Sequence, residues 1–217
     1  MQKLSRIEIN TQSLQRMVRS VTFFKDIARI DDEQFDLLIS VSEFVRAGAG
    51  EVVLEKGNQD QILYFLLKGQ MSVYSAEDGN SLNLINPGEV FGALSMVTGR
   101  GRSATVKAES EVILLGLDFK YFKDVEDFSL FSIQTKLVAY RMMLHNIRWN
   151  LELNKMQHPE HPLNKKLLKI KPYNGEKGSR DELMALHEQA GLLANLLCEW
   201  NDELHVFRSN QLTANSY

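Results

Sequence analysis

Apolar residues recur at more than one spacing along the chain, and each spacing predicts a different element. Residues 1–19 mix Leu4, Ile7, Leu14 and Met17 with polar neighbours, a pattern suited to a peripheral helix or ordered arm. Phe23, Phe24 and Ile27 then lead into Asp31-Asp32-Glu33, followed by Phe35, Leu38, Ile39 and Phe44. Acidic residues just ahead of apolar positions three and four apart mark the first turn of an amphipathic helix, where carboxylates complement the helix dipole.

From about residue 44 to residue 117 the pattern changes to short β-rich runs separated by glycine. The runs are 51–55, 62–67, 71–74, 82–85 and 112–117, and the turns are Lys56-Gly57-Asn58, Lys68-Gly69, Glu77-Asp78-Gly79-Asn80 and Asn86-Pro87-Gly88. Asp-Gly between such runs signals a hairpin, because both residues tolerate positive φ. Strands this short, with turns about every ten residues, predict an antiparallel β-barrel or sandwich.

Residues 128–156 predict one long helix. Leu130, Ile133, Leu137, Tyr140, Leu144, Ile147 and Leu151 alternate steps of three and four, a heptad seam. Part of this face must pack on its own barrel, because Val138, Met142 and Met143 widen the stripe. The regularity of the seam nevertheless favours a homodimer. Gln157-His158-Pro159-Glu160-His161-Pro162 then breaks the helix, and its prolines deny the two histidines a helical frame for a metal, so a solvated linker is expected. A basic run follows, Lys165, Lys166, Lys169, Lys171, Lys177 and Arg180, opposed only by Glu176. Such runs are usually solvated connectors, although this one could touch phosphates.

A final helix is predicted over about 179–207, opened by Ser179, Asp181 and Glu182. Its apolar stripe is Leu183, Leu186, Ala190, Leu193, Leu197, Trp200, Leu204 and Phe207, and its acids meet no lysine or arginine on the helix after the first turn until Arg208. An acidic amphipathic helix of this kind needs a covering surface, so a protein partner or its own dimer is expected here. Cys198 beside the stripe reads as a packing residue.

The pattern as a whole predicts an α+β chain: an arm over 1–19, a β-roll or jelly-roll unit with flanking helices over 20–127, a long helix over 128–156, and a linker with a helical tail over 157–217. A length of 217 residues, 44% apolar and 24% charged, supports a packed core. The net charge of −3 gives the molecule as a whole no reason to coat nucleic acid or an anionic membrane. One cysteine excludes an internal disulfide and fits a reducing compartment, and no apolar run is long enough to span a bilayer, so a cytoplasmic protein is expected.

Candidate chemistry concentrates in residues 88–106. One short helical turn sits between Val90-Phe91 and Ala104-Thr105-Val106, followed by a glycine-spaced loop carrying Arg100 and Arg102. Amides at the start of a short helix attract an anion, and a guanidinium can grip the same phosphate with two parallel bonds. The segments Phe91-Gly92-Ala93-Leu94-Ser95-Met96 and Gly101-Arg102-Ser103-Ala104-Thr105-Val106 resemble the phosphate-binding cassette of the cyclic-nucleotide-binding domain, shared by catabolite activator proteins, kinase regulatory subunits and cyclic-nucleotide-gated channels. The likeness extends over about residues 20–150, through the Phe-containing helical entry and the glycines at 50, 57, 69, 79, 88 and 92.

That resemblance implies a non-catalytic, dimeric regulator. Gly92, Ala93, Leu94, Ser95, Arg102, Ser103 and Ala104 would form the phosphate site, and Leu130, Ile133, Leu137, Tyr140, Leu144, Ile147 and Leu151 the dimer seam. The ligand implied is cyclic AMP, cyclic GMP or another cyclic nucleotide, held weakly. The family's ribose-binding glutamate is Ala93 here, and losing one charge-assisted hydrogen bond costs about 1.5–3 kcal/mol, roughly ten- to more than a hundredfold in affinity. A different phosphate ligand, or a ligand-free scaffold, are the other readings of the same cassette. Gly101 replaces the family's proline before Arg102 and predicts a more mobile loop. A transcription regulator of the catabolite activator type is the alternative function. Against DNA stands the absence of a Ser-x-x-Thr-Val-x-Arg recognition helix and the acidity of the last helix. Against an enzyme stands the absence of Gly-x-x-x-x-Gly-Lys-Ser/Thr, His-Glu-x-x-His and Gly-x-Ser-x-Gly.

Overall fold

The computed structural model describes residues 1–9, 11–74 and 81–214, with the side chains of residues 6, 81, 82 and 204–214 outside the description. The expected hairpin turn at 77–80, Leu204 and Phe207 of the last stripe, and Arg208 beyond it lie outside the described residues or side chains.

The N-terminal arm is tied down. Strand β1 (Gln2–Lys3) pairs antiparallel with β2 (Ser42–Ala47), and helices α1 (Arg6–Ile9), α2 (Gln12–Ser20), α3 (Thr22–Ile30) and α4 (Asp32–Ser40) follow β1. Leu4, Leu14 and Val18 are buried, which anchors the arm in the core. Asp31 opens α4 by accepting the Glu33 and Gln34 amides at 2.9 and 3.1 Å, the capping role that its short carboxylate favours.

Two antiparallel sheets form the roll. One runs β1-β2-β9-β4-β7 and the other β3-β8-β5-β6, with β3 Val52–Leu54, β4 Ile62–Lys68, β5 Met71–Tyr74, β6 Ser81–Ile85, β7 Val90–Phe91, β8 Thr105–Ala108 and β9 Val112–Asp118. Strand β4 is buried on both faces, as its unbroken apolar run requires. Tyr64 and Leu66 point into the roll with Met71, Val106 and Leu114, whereas Leu63 and Phe65 point outward against the helices. Phe23 stacks on Phe65 with centroids 5.1 Å apart, and Phe24 tilts onto it at 4.8 Å. Between β7 and β8 lies α5 (Ala93–Thr98), and after β9 comes α6 (Lys120–Lys123).

The long helix, α7, spans Ile133–Gln157 and starts later than the periodicity suggested. Ser132 caps it by accepting the Thr135 amide at 3.3 Å, while Gln34 Oε1 accepts from the Ser132 amide and the Thr135 hydroxyl, both at 2.8 Å. This clasp to α4 holds the preceding segment out of the helix, so Leu130 of the seam precedes the helix. Phe131, fully buried, stacks on Phe122 instead.

The last two helices are α8 (Leu163–Lys169) and α9 (Arg180–Ala214). Ser179 caps α9, accepting the Glu182 amide at 3.1 Å. Helix α9 begins beside the first turns of α7, where Glu182 meets Arg141 and His187 meets Tyr140. Its Trp200 stacks on His161, just past the end of α7. The two helices therefore run parallel, and residues 158–179 return along them as a strap. Leu137, Tyr140, Ile147 and Leu151 are at most 1% exposed and Leu144 is 8% exposed, in the same core as Leu183, Leu193, Ala194 and Trp200. Within the chain, these seam positions of α7 pack in a core shared with α9 and the helical face of the roll.

Candidate functional site: the cassette around Arg102

Glycine at 92 is required twice. Its φ of +88° lies in the left-handed region, and a Cβ there would stand 2.5 Å from Arg102 Nη1. It turns the chain from β7 into α5, where Ala93 is 1% exposed, Ser95 6% exposed and Leu94 partly buried. The Ala93 methyl itself carries no acceptor.

The loop after α5 is held by a second glycine contact. Gly57 N–H donates to Arg102 O at 2.9 Å, and Arg102 N–H donates to Asn58 O at 2.8 Å. A Cβ on Gly101 would lie 2.6 Å from Gly57 O, so the residue in the proline position of the family pattern serves close backbone approach. Beside the mobility expected of Gly101, this contact gives the glycine a packing reason. The same ladder draws the 55–61 loop, with Asp60, to the guanidinium.

Arg102 is only 3% exposed. Its Nε donates to Asp60 Oδ2 at 3.2 Å, and its Nη1 to Gly92 O at 3.0 Å and Ser95 Oγ at 2.9 Å. Its Nη2 donates to Ile62 O at 2.6 Å and closes the ion pair with Asp60 Oδ1. A guanidinium has five N–H groups. All five are taken by protein acceptors in these five bonds. Ser95 Oγ in turn donates to Gly92 O at 3.2 Å. Burial of the nearby Tyr64 phenol, and then the Asp60 charge, push its pKa up; Tyr64 stacks on Phe91 with centroids 5.6 Å apart.

The structure therefore brings Gly92, Ser95 and Arg102 into one hydrogen-bonded cluster, with Ala93 and Leu94 in the same turn. Ser103 is exposed and Ala104 half-buried, outside that cluster. Asp60 is the residue that sequence reading missed. The available signal was chemical: an arginine between β-runs needs a carboxylate if it is to be buried, and Asp60 is the acid of the glycine turn before β4.

Arg100 leaves the cassette for the tail, pairing with Asp202 of α9 at 3.3 Å. The acidic face of α9 is answered within the chain elsewhere too. Lys166 pairs with Glu199, and Glu182, 2% exposed, takes Arg141 Nε at 3.2 Å, Arg141 Nη2 at 2.7 Å and the Gly178 amide at 2.6 Å. Burial opposes ionisation of Glu182, but these donors outweigh it and hold its pKa below the usual 4.5. The basic partners of Glu182, Glu199 and Asp202 thus come from α7, α8 and the cassette loop, not from α9 itself. His161, half of the histidine pair, stacks on Trp200 at 4.8 Å and lies 3.3 Å from Glu203.

Comparison with known proteins agrees with this architecture. Residues 44–127 match the family model of the cyclic nucleotide-binding domain. The solved structure described as cAMP bound PfPKA-R (141-441) superposes with a TM-score of 0.51 at 20% identity, covering 66% of this chain and 46% of that one, a likeness of fold. The N-terminal domain of a transcriptional regulator from Streptomyces coelicolor A3(2) has a TM-score of 0.48 at 23% identity, covering 63% of this chain and 94% of that one. Among curated proteins, patatin-like phospholipase domain-containing protein 7 of Rattus norvegicus is 30% identical over 104 residues, 46% of this chain. The match spans 8% of that phospholipase. The likeness to the cyclic-nucleotide-binding domain is thus shown for the roll. Among the described residues, no helix is long and apolar enough to cross a membrane.

Proposed function

We propose that this chain is a non-catalytic regulatory module in which the cyclic-nucleotide-binding fold works without a nucleotide, as a scaffold that presents α7 and α9 to a protein partner. One observation carries the reading: Arg102 is buried with its five donors already bonded to Asp60, Gly92, Ser95 and Ile62. A cyclic phosphate could reach this guanidinium only by displacing an acceptor that is already in place. The buried Ala93 adds no ribose acceptor to offset that cost. In this reading Asp60 supplies the negative charge that a ligand would bring, and the roll stays closed on its helices.

The chain acts as a monomer in this proposal, because α9 lies along α7 and shares a core with its seam positions. A thermal-shift panel of cyclic mono- and dinucleotides tests the reading, since a ligand that binds only the folded state raises its melting point. No shift is expected from cyclic AMP or cyclic GMP at millimolar concentration. A saturable rise of several degrees would overturn the proposal. Light scattering behind gel filtration tests the second part, with a mass near the 24.8 kDa of one chain expected.

A further inference from the structure

We propose that the outward face of α8 is a docking surface for an anionic lipid bilayer. Leu163 and Leu167, each 3% exposed, turn one side of this helix toward the core. Lys165, Leu168 and Lys169 fall on the opposite side by helical spacing and are exposed, with Leu168 at 72%. Lys171 follows, also exposed, and no carboxylate side chain occurs from residue 161 to residue 175. Lys166, on the flank, is the one of the four lysines that is ion-paired among the described residues. A chain of net charge −3 thus gathers, around one protruding leucine, three lysines that make no ion pair among the described residues.

The chemistry of the patch selects its partner. Lysines are strongly hydrated point charges without the planar fork that reads phosphate geometry, so they suit a diffuse anionic surface. An exposed leucine gains nothing against a hydrated nucleic-acid backbone, but it gains burial in the acyl boundary of a bilayer while flanking lysines reach headgroups. The overall negative charge sets no barrier, because charges beyond about 8–10 Å are screened at physiological salt. Attraction to an anionic leaflet is worth about fivefold in affinity per lysine, or about 100-fold for three.

Flotation of the full chain with vesicles tests this, using phosphatidylserine mixed into phosphatidylcholine against phosphatidylcholine alone. Binding is expected to the mixed vesicles only, and to weaken as salt rises. The triple variant K165Q/K169Q/K171Q should lose about 100-fold in partitioning, and Leu168→Ser should weaken vesicle binding while leaving the melting temperature within about a degree of wild type. Equal binding to both vesicles, or unchanged binding by Leu168→Ser, would overturn the proposal. So would tighter binding to duplex DNA than to mixed vesicles at the same salt, which would assign the patch to nucleic acid.

Discussion

Truncating Asp60 probes the cassette where the sequence was least informative. Asp60→Ala removes two charge-assisted bonds to a guanidinium whose side chain is 2% exposed, while Asp60 itself is 38% exposed. Breaking a fully buried pair by removing one partner costs about 3–5 kcal/mol. Here water can enter from the Asp60 side and re-bond part of the orphaned edge, whereas Gly92 O, Ser95 Oγ and Ile62 O still hold the rest. The cost should therefore be about 2–3 kcal/mol, a fall in Tm of roughly 5–10 °C for a chain of this size. Urea unfolding of the wild type, Asp60→Ala, Arg102→Met and the double variant measures it. The double variant should be less destabilised than the sum of the singles by about 1–3 kcal/mol, because it leaves no unpaired charge behind. An Asp60→Ala cost below about 0.5 kcal/mol, with additive singles, would refute the buried ion pair.

Gly92→Ala should destabilise by about 1–3 kcal/mol, since it forces a side chain to φ +88° and against Arg102; a loss near zero in urea unfolding would remove the close contact from the account. Glu182→Gln should cost about 1.5–3 kcal/mol at neutral pH. Because the folded Glu182 pKa lies below its usual 4.5, that stability is fully present above 4.5 and is lost as pH falls through the folded value, so the two proteins should converge in acid; a gap independent of pH contradicts the sign. Lys136, fully buried with its ammonium on Asp124 O, has a pKa lowered by desolvation from the usual 10.5. Its folded state disfavours the proton, so the penalty is complete below the folded pKa and is relieved as pH rises toward 10.5. Lys136→Met should flatten that part of the stability profile, and an unchanged slope would count against it.

Much of the fold was legible because local signals agreed with one another. The acids that open α4, the glycine turns and the apolar run of β4 each specify a local geometry that the packing keeps. What was not legible depended on pairs distant in sequence. The heptad spacing of α7 states that a surface must cover it but not which one, and the α9 residues that share its core lie more than thirty positions further along the chain. Likewise, Gly92 and Arg102 identify a cassette, but the fate of the guanidinium depends on Asp60, 42 positions away. The acids of α9 looked unpaired because Arg141, Lys166 and Arg100 come from other elements. No periodicity encodes such meetings.

Nitrogen-15 NMR of the arginine side chains tests the central claim most directly, by following the Arg102 Nε and Nη protons, assigned with Arg102→Met, before and after addition of cyclic AMP. Slow exchange with solvent, hindered rotation about the guanidinium, and no movement on titration are expected. A solvent-exchanging, freely rotating Arg102 signal that shifts saturably with cyclic AMP would contradict it.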